Sequence, residues 1–206
     1  MRTTARALSV TAVLAGAVAL SACGGADTDH NGMTGMNGMG TASSSATSTA
    51  KVDPADVMFA QTMVPHHQQA VQMADLALTR ASSADVKALA TKIKAAQDPE
   101  IATMTGWLGT WGAPTGSADM NGVAGMNHGS DGMMSQADMT KLSQASGAQF
   151  DRMWLTMMVA HHQGALTMAN DVLATTKDTQ VRTLAQSIID GQTKEIAAMK
   201  GLLSAS

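Results

Sequence analysis

The chain contains the same stretch of about fifty residues twice, and this repeat constrains the fold more than any other feature of the sequence. The first copy runs from Asp56 to Leu108 and the second from Asp151 to Leu203. The copies align without a gap, and about two positions in five are identical. Such a duplication predicts two similar units that pack against each other.

Each copy predicts an antiparallel pair of helices. Apolar residues recur at helical spacing over about 53–79 and 83–108 in the first copy. The second copy repeats the pattern from about Gln136 or Gly147 to Thr175, and over about 178–203. Two helical hairpins with short turns and a long crossover predict an all-α, four-helix bundle.

Capping residues support these helix boundaries, whereas two prolines inside the predicted helices argue against them. Pro65 and Pro99 each remove a backbone hydrogen bond inside a predicted helix. The second copy has Ala160 and Lys194 at the equivalent positions, so we keep both helices and expect bends in the first copy only. The N-cap candidates are Asp53 (followed by Pro54), Ser82 or Ser83, and Asp178.

Composition agrees with closely packed helices and excludes one class of partner. Aromatic residues make up 2% of the chain and Tyr is absent, so the core must be built from Ala, Leu, Ile, Val and Met. The net charge is −3 and no basic patch is present, so we expect no nucleic-acid partner.

The N-terminus predicts export and a lipid anchor. Arg2 and Arg6 precede a short apolar stretch over 8–20, and the sequence around Cys23 resembles the lipobox of bacterial lipoproteins. Cys23 is the only cysteine, so a lipidated mature protein has no thiolate ligand and no disulfide. We expect anchoring to the membrane, facing the periplasm or the exterior. The alternatives are a retained anchor helix, or a secreted protein with an incidental cysteine.

The remaining organisation follows from composition. We predict a signal peptide over 1–22, a Gly/Ser/Met-rich tether over 23–52 and a duplicated domain over 53–206, divided into repeats 53–110 and 136–206 by a Met/Gly linker over 113–134. Both the tether and the linker are expected to be loosely ordered. Their thioethers suit soft ions such as Cu(I) and Ag(I), although an oxidant sink or simple low complexity is the alternative. These methionines are Met33, Met36 and Met39 in the tether, and Met120, Met126, Met133 and Met134, with His128, in the linker.

A paired histidine motif on the first helix of each repeat is the candidate metal site. On a helical wheel, Met63, His66, His67 and Met73 share the apolar stripe, so both imidazoles should face the interior. Buried imidazoles need partners, and flanking thioethers could bind the same ion. The predicted metal ligands are Met63, His66, His67, Met73, Met158, His161, His162 and Met168.

The second helix of each repeat carries further candidates. Glu100 and Met104 lie on one face, and the second copy has Glu195 and Met199. They could complete the site or hydrogen-bond the imidazoles. The alternative is structural: buried histidines are usually hydrogen-bonded and helical methionines usually fill a core, and core packing is the preferred interpretation of Met104 and Met199.

At these residues the chain resembles the bacterial domain of unknown function 305 family. The resemblance rests on Met63-Val-Pro-His-His-Gln-Gln-Ala-Val-Gln-Met-Ala74, on its copy over 158–169, and on Gln97, Glu100, Ile101, Met104 and Trp107-Leu108. It implies a ferritin-like four-helix bundle that is exported and, in some members, linked to copper. The Glu-x-x-His pairs of di-iron proteins are missing, so oxidase chemistry is not expected.

The sequence therefore predicts an exported, lipid-anchored protein that binds a copper ion, as Cu(I), or silver, for sequestration, tolerance or transfer to a partner. It predicts no enzyme. A structural or interaction lipoprotein without metal remains the main alternative, and a redox-active metalloenzyme is a weaker one.

Overall fold

The computed structural model describes residues 52–115 and 132–205, and all regular structure in those ranges is helical. Four long helices and one short helix form the bundle that the repeat predicts. They are α1 (Pro54–Arg80), α2 (Ala84–Trp111), α3 (Gln136–Gln144), α4 (Gly147–Thr175) and α5 (Thr179–Ser204).

The predicted caps begin their helices. The carboxylate of Asp53 accepts the N–H of Ala55, and the hydroxyl of Ser83 accepts the N–H of Val86. Asp178 accepts two backbone N–H groups at the start of α5. These bonds satisfy N–H groups that have no partner within the helix. At the starts of α2 and α5, they allow a helix to begin directly after a short turn.

The two candidate starts of the second repeat are both helix starts. Gln136 begins α3 and Gly147 begins α4, with a break at Ala145 and Ser146 between them. Gly147 has φ of 61°, a backbone conformation that residues with a side chain seldom adopt. Pro65 and Pro99 lie inside α1 and α2, and both helices continue through them.

Two apolar clusters fill the bundle. The helices pair as α1 with α2 and α4 with α5, and the main contact between these hairpins is that of α1 with α4. The first apolar cluster includes Met73, Ile93, Trp154, Met158 and Met199. The second apolar cluster includes Phe59, Met63, Met104, Ala169 and Ile188. Each cluster thus draws on both repeats, so neither hairpin has a complete core of its own.

A layer of polar side chains separates the two apolar clusters on all four long helices. Along each helix, residues of one cluster come before the polar pair and residues of the other come after it. We call this set the central polar layer. Its members are His66 and His67 on α1, Gln97 and Glu100 on α2, His161 and His162 on α4, and Gln192 and Glu195 on α5.

The end of the linker is fixed on the bundle, which corrects the expectation that the whole linker is loosely ordered. The side-chain amide of Gln69 donates to the carbonyl of Met134 at 2.9 Å and accepts the N–H of Met134 at 2.7 Å. Gly132 lies against the backbone of α4 beside His161. Two hydrogen bonds and a close backbone contact therefore hold residues 132–134 in place.

Several predicted features lie outside the described residues. These are the signal peptide, Cys23, the tether methionines and the linker residues Met120, Met126 and His128. Among the described helices, none combines the length and the apolar character needed to cross a bilayer.

Candidate metal centre

The second histidine of each pair is hydrogen-bonded to a glutamate of the neighbouring helix. We call His67 and His162 the outer histidines, and His66 and His161 the inner histidines. The Nε2 atom of His67 lies 2.8 Å from Oε2 of Glu100, and Nε2 of His162 lies 2.8 Å from Oε2 of Glu195. All four histidines are buried, as the helical wheel predicts, whereas the glutamate side chains remain 17% exposed. Each glutamate can thus keep contact with solvent while binding an imidazole inside.

These contacts determine which ring nitrogen is available. An ionised carboxylate only accepts hydrogen bonds, so Nε2 of His67 must carry the hydrogen that it donates to Glu100. In the neutral imidazole the lone pair is then on Nδ1, which is buried and has no hydrogen-bond partner among the described residues. The same holds for Nδ1 of His162. A carboxylate behind a histidine with a free inner nitrogen is the usual arrangement of metal-binding imidazoles.

The inner histidines meet between the two repeats. The ring centroids of His66 and His161 are 3.7 Å apart, with the rings tilted by 34°. Each inner ring lies 6.3 Å from the outer ring of its own pair. The four imidazoles therefore form one row across the bundle, with a glutamate at each end.

Burial favours the uncharged form of His161 in this row. It lowers the pKa of His161 well below its ordinary value of 6.5, because a charged ring would lose its hydration. The neighbouring imidazoles His66, His162 and His67 lower it further, and the backbone of His66 acts in the opposite direction. A neutral imidazole can donate a lone pair to a metal, so His161 is ready to bind one at neutral pH.

The predicted ligands Met63 and Met158 border this row on opposite sides. Each precedes its histidine pair by three residues, about 4.5 Å along the axis, and each is fully buried. Met63 packs in the second apolar cluster with Met104, and Met158 packs in the first with Met199. These are the thioethers closest along their helices to the imidazoles.

Met73 and Met168 lie farther along the helices. Seven residues separate each from the inner histidine of its pair, about 10 Å along the axis. The carbonyl oxygen of Met73 accepts the indole N–H of Trp154 at 2.9 Å, and its side chain is part of the first apolar cluster. Met168 is half-buried against the second apolar cluster. Both pack as core residues, one on each side of the central polar layer.

The donor set of the layer favours a soft ion. Within residues 52–115 and 132–205, no cluster of three or more His, Cys, Asp or Glu side chains is arranged to hold a metal ion. The layer offers pairs of imidazoles instead, with a methionine three residues before each pair. Neutral imidazoles with nearby thioethers are the ligands that Cu(I) and Ag(I) prefer, so these donors fit such an ion.

The sequence interpretation missed two buried amides. The side chains of Gln97 and Gln192, one on each second helix, are 1% and 4% exposed. Neither the nitrogen nor the oxygen of either amide has a hydrogen-bond partner among the described residues. Both positions are identical between the repeats, and that identity of a polar residue at a core position was the signal that could have identified them.

It also missed the role of the aspartate that begins each repeat. Asp151 accepts hydrogen bonds from the backbone N–H groups of Ser82 and Ser83 and from the hydroxyl of Ser82, and so holds the turn between α1 and α2. The equivalent Asp56 lies near Thr176, in the other turn, and burial raises its pKa. Each repeat thus holds the turn of the other.

Comparison with known proteins assigns the fold to one family. The sequence profile of the family described as domain of unknown function 305 (DUF305) matches residues 56–203. A DUF305 fragment from Deinococcus radiodurans is 33% identical, with a TM-score of 0.67, over 75% of this chain and 98% of that one. A secreted-protein candidate of the same family from Streptomyces coelicolor is 33% identical, with a TM-score of 0.66, over 73% and 93%.

The copper-binding protein CopM has a similar structure. Its Cu(I)-bound form is 30% identical to this chain, with a TM-score of 0.61, over 73% of this chain and 96% of CopM. An Ag-bound form gives 31% identity and a TM-score of 0.59 over the same shares. No curated protein matches the chain.

Proposed function

The chain belongs to the DUF305 family, and we propose that it is an exported protein that binds copper as Cu(I), or silver in its place, in the central polar layer. The observation that carries this proposal is the row of four buried imidazoles. Glu100 accepts the Nε2–H of His67 and Glu195 accepts that of His162. Nδ1 of each ring then has a lone pair and no hydrogen-bond partner within the described residues. The similarity to CopM supports the choice of metal.

His66, His67, His161 and His162 would supply the imidazole donors of the layer, with Met63 and Met158 as thioether donors from the adjacent apolar clusters. The metal would neutralise part of the charge of Glu100 and Glu195, which have no other cation in the layer. Burial keeps any large substrate away from the four histidines. We therefore propose a binding role, in sequestration, tolerance or transfer, and no catalytic one.

The N-terminal sequence completes the proposal. A lipid on Cys23 would attach the protein to the membrane from outside the cytoplasm, where Cu(I) and Ag(I) first reach a cell. A copper-transfer partner of unknown identity would then receive or deliver the ion at that surface.

The decisive experiment is a competition titration of the purified chain with Cu(I) and a chromophoric chelator, repeated with Zn(II). We expect tight Cu(I) binding and weak Zn(II) binding. The variant His66→Ala/His161→Ala should lose the tight Cu(I) site and keep its helical circular dichroism. The matched control, His30→Ala, removes a histidine of the tether sequence and should bind Cu(I) as the unchanged chain does. Unchanged Cu(I) affinity in the double variant, or tighter binding of Zn(II), would refute the proposal.

A further inference from the structure

Gln97 and Gln192 are the polar residues of the central polar layer that the imidazole row and its glutamates do not explain. Each amide is more than nine-tenths buried, and each lacks a partner for both its nitrogen and its oxygen within the described residues. A buried amide without hydrogen bonds is unfavourable, so leucine at these positions should leave the metal-free bundle at least as stable. The same cost occurs twice, at equivalent positions.

The position of these amides is fixed by the helices. Gln97 precedes Glu100 by three residues, so both side chains lie on the face of α2 that meets α1. On α2, Gln97 follows Ile93 of the first apolar cluster and precedes Met104 of the second. Gln192 has the corresponding place on α5. The amides therefore belong to the same layer as the imidazoles, one turn away from the glutamates.

The inner histidines need the kind of group that these amides provide. An imidazole that binds an ion through one nitrogen must donate the N–H of the other, and the partner is usually a carboxylate or a carbonyl oxygen. Glu100 and Glu195 serve the outer histidines. Within the described part of the chain, no side-chain acceptor reaches either ring nitrogen of His161. The amide oxygens are the acceptors in the layer that remain unused.

We propose that Gln97 and Gln192 position the inner histidines of the metal-bound centre, by accepting the imidazole N–H of His66 and His161 through their amide oxygens. This inference rests on the proposed function. Charge explains why glutamine rather than glutamate occupies these positions, because Glu100 and Glu195 already provide two negative charges for soft monovalent ions. Two further buried carboxylates would remain uncompensated.

The test is the double variant Gln97→Leu/Gln192→Leu, compared with Gln186→Leu, which changes an exposed glutamine of α5 outside the layer. The metal-free double variant should melt at the same temperature as the unchanged chain or higher. Its affinities for Cu(I) and Ag(I) should fall about 10- to 100-fold, the usual effect of removing a hydrogen-bond partner of a metal-binding imidazole. Gln97→Glu, which keeps an acceptor, should lose less affinity than Gln97→Leu.

A spectroscopic measurement separates positioning from simple packing. In the Ag(I)-bound chain, the imidazole N–H protons of the inner histidines should exchange slowly with solvent, and the leucine double variant should lose this protection. The inference is wrong if that variant binds Cu(I) and Ag(I) within about twofold of the unchanged chain, or if the metal-free variant is destabilised. If the unchanged chain itself binds neither ion, the proposed function fails first.

Discussion

The imidazole rings of His66 and His161 lie 3.7 Å apart between centroids, although each belongs to a different repeat. Two charged rings could not occupy this position, since their repulsion would add to the cost of burial. The contact therefore joins two matched motifs into one row, and the two histidine pairs should act as a single centre.

If they do, the effects of removing the inner histidines should not add. We expect His66→Ala, His161→Ala and the double variant to weaken Cu(I) binding by similar factors, because each single change already breaks the row. Competition titrations of the three variants provide the double-mutant cycle. If the sites were independent, each single variant would lose one site and keep tight binding of half of the copper.

The glutamates should contribute to both stability and metal binding. Replacing Glu195 by Ala leaves Nε2 of the buried His162 without its acceptor, which should lower the free energy of unfolding by about 1–3 kcal/mol. The Cu(I) affinity should fall about tenfold or more, because the ring loses the group that orients it. Urea unfolding and chelator competition measure the two effects. Asp190→Ala, on the exposed surface of α5, is the control and should change neither.

The metal-free protein should lose stability in mild acid. The pKa of folded His161 lies well below 6.5, so the unfolded chain binds more protons than the folded one once the pH falls below about 6.5. Stability is therefore retained above that pH and decreases as the pH falls below it. Urea unfolding with a metal chelator, at about pH 7.5 and about pH 5, should show a smaller decrease for His161→Leu than for the unchanged chain. Equal decreases would contradict the lowered pKa.

The two turn-holding aspartates should differ in their contribution. Asp151 receives two backbone N–H groups and one hydroxyl, so Asp151→Ala should cost about 2–4 kcal/mol of unfolding free energy. Asp56→Ala should cost less, because Oδ1 of Asp56 has no hydrogen-bond partner among the described residues and burial already disfavours its charge. Urea denaturation of the two variants makes the comparison, and equal or reversed costs would count against it.

Gly132 should tolerate no side chain. A Cβ there would lie 2.5 Å from the carbonyl oxygen of Ala160 and 3.0 Å from Cα of His161, and both contacts are with backbone. We expect Gly132→Ala to lower the melting temperature and to release the Gln69–Met134 hydrogen bonds. Gly112→Ala is the control, since Gly112 also has a positive φ but meets nothing within 4 Å. It should cost only about 1 kcal/mol.

Sequence pattern predicted the bundle well because its signals are local. Apolar spacing, caps such as Asp53 and Ser83, and the gap-free repeat each act within a few turns of helix, and the structure confirms them. Contacts between repeats were not accessible in this way. The distance between His66 and His161 depends on how α1 packs against α4, which no single helix specifies.

The same limit applies to the methionines. A helical wheel compares only directions around the axis, and it placed Met63 and Met73 on one stripe with His66. The rise along the axis separates them, so that Met63 borders the central polar layer and Met73 lies beside Trp154. Gln97 and Gln192 were missed because the pattern of a single helix does not show that a side-chain amide will be buried without a hydrogen-bond partner.

The shared core and the contact between His66 and His161 determine how the centre assembles. A single hairpin has half of each apolar cluster and half of the imidazole row, so two separate hairpins could form the centre only as a dimer. Such a dimer dissociates on dilution. By carrying both hairpins in one chain, the protein makes formation of the centre independent of its own concentration.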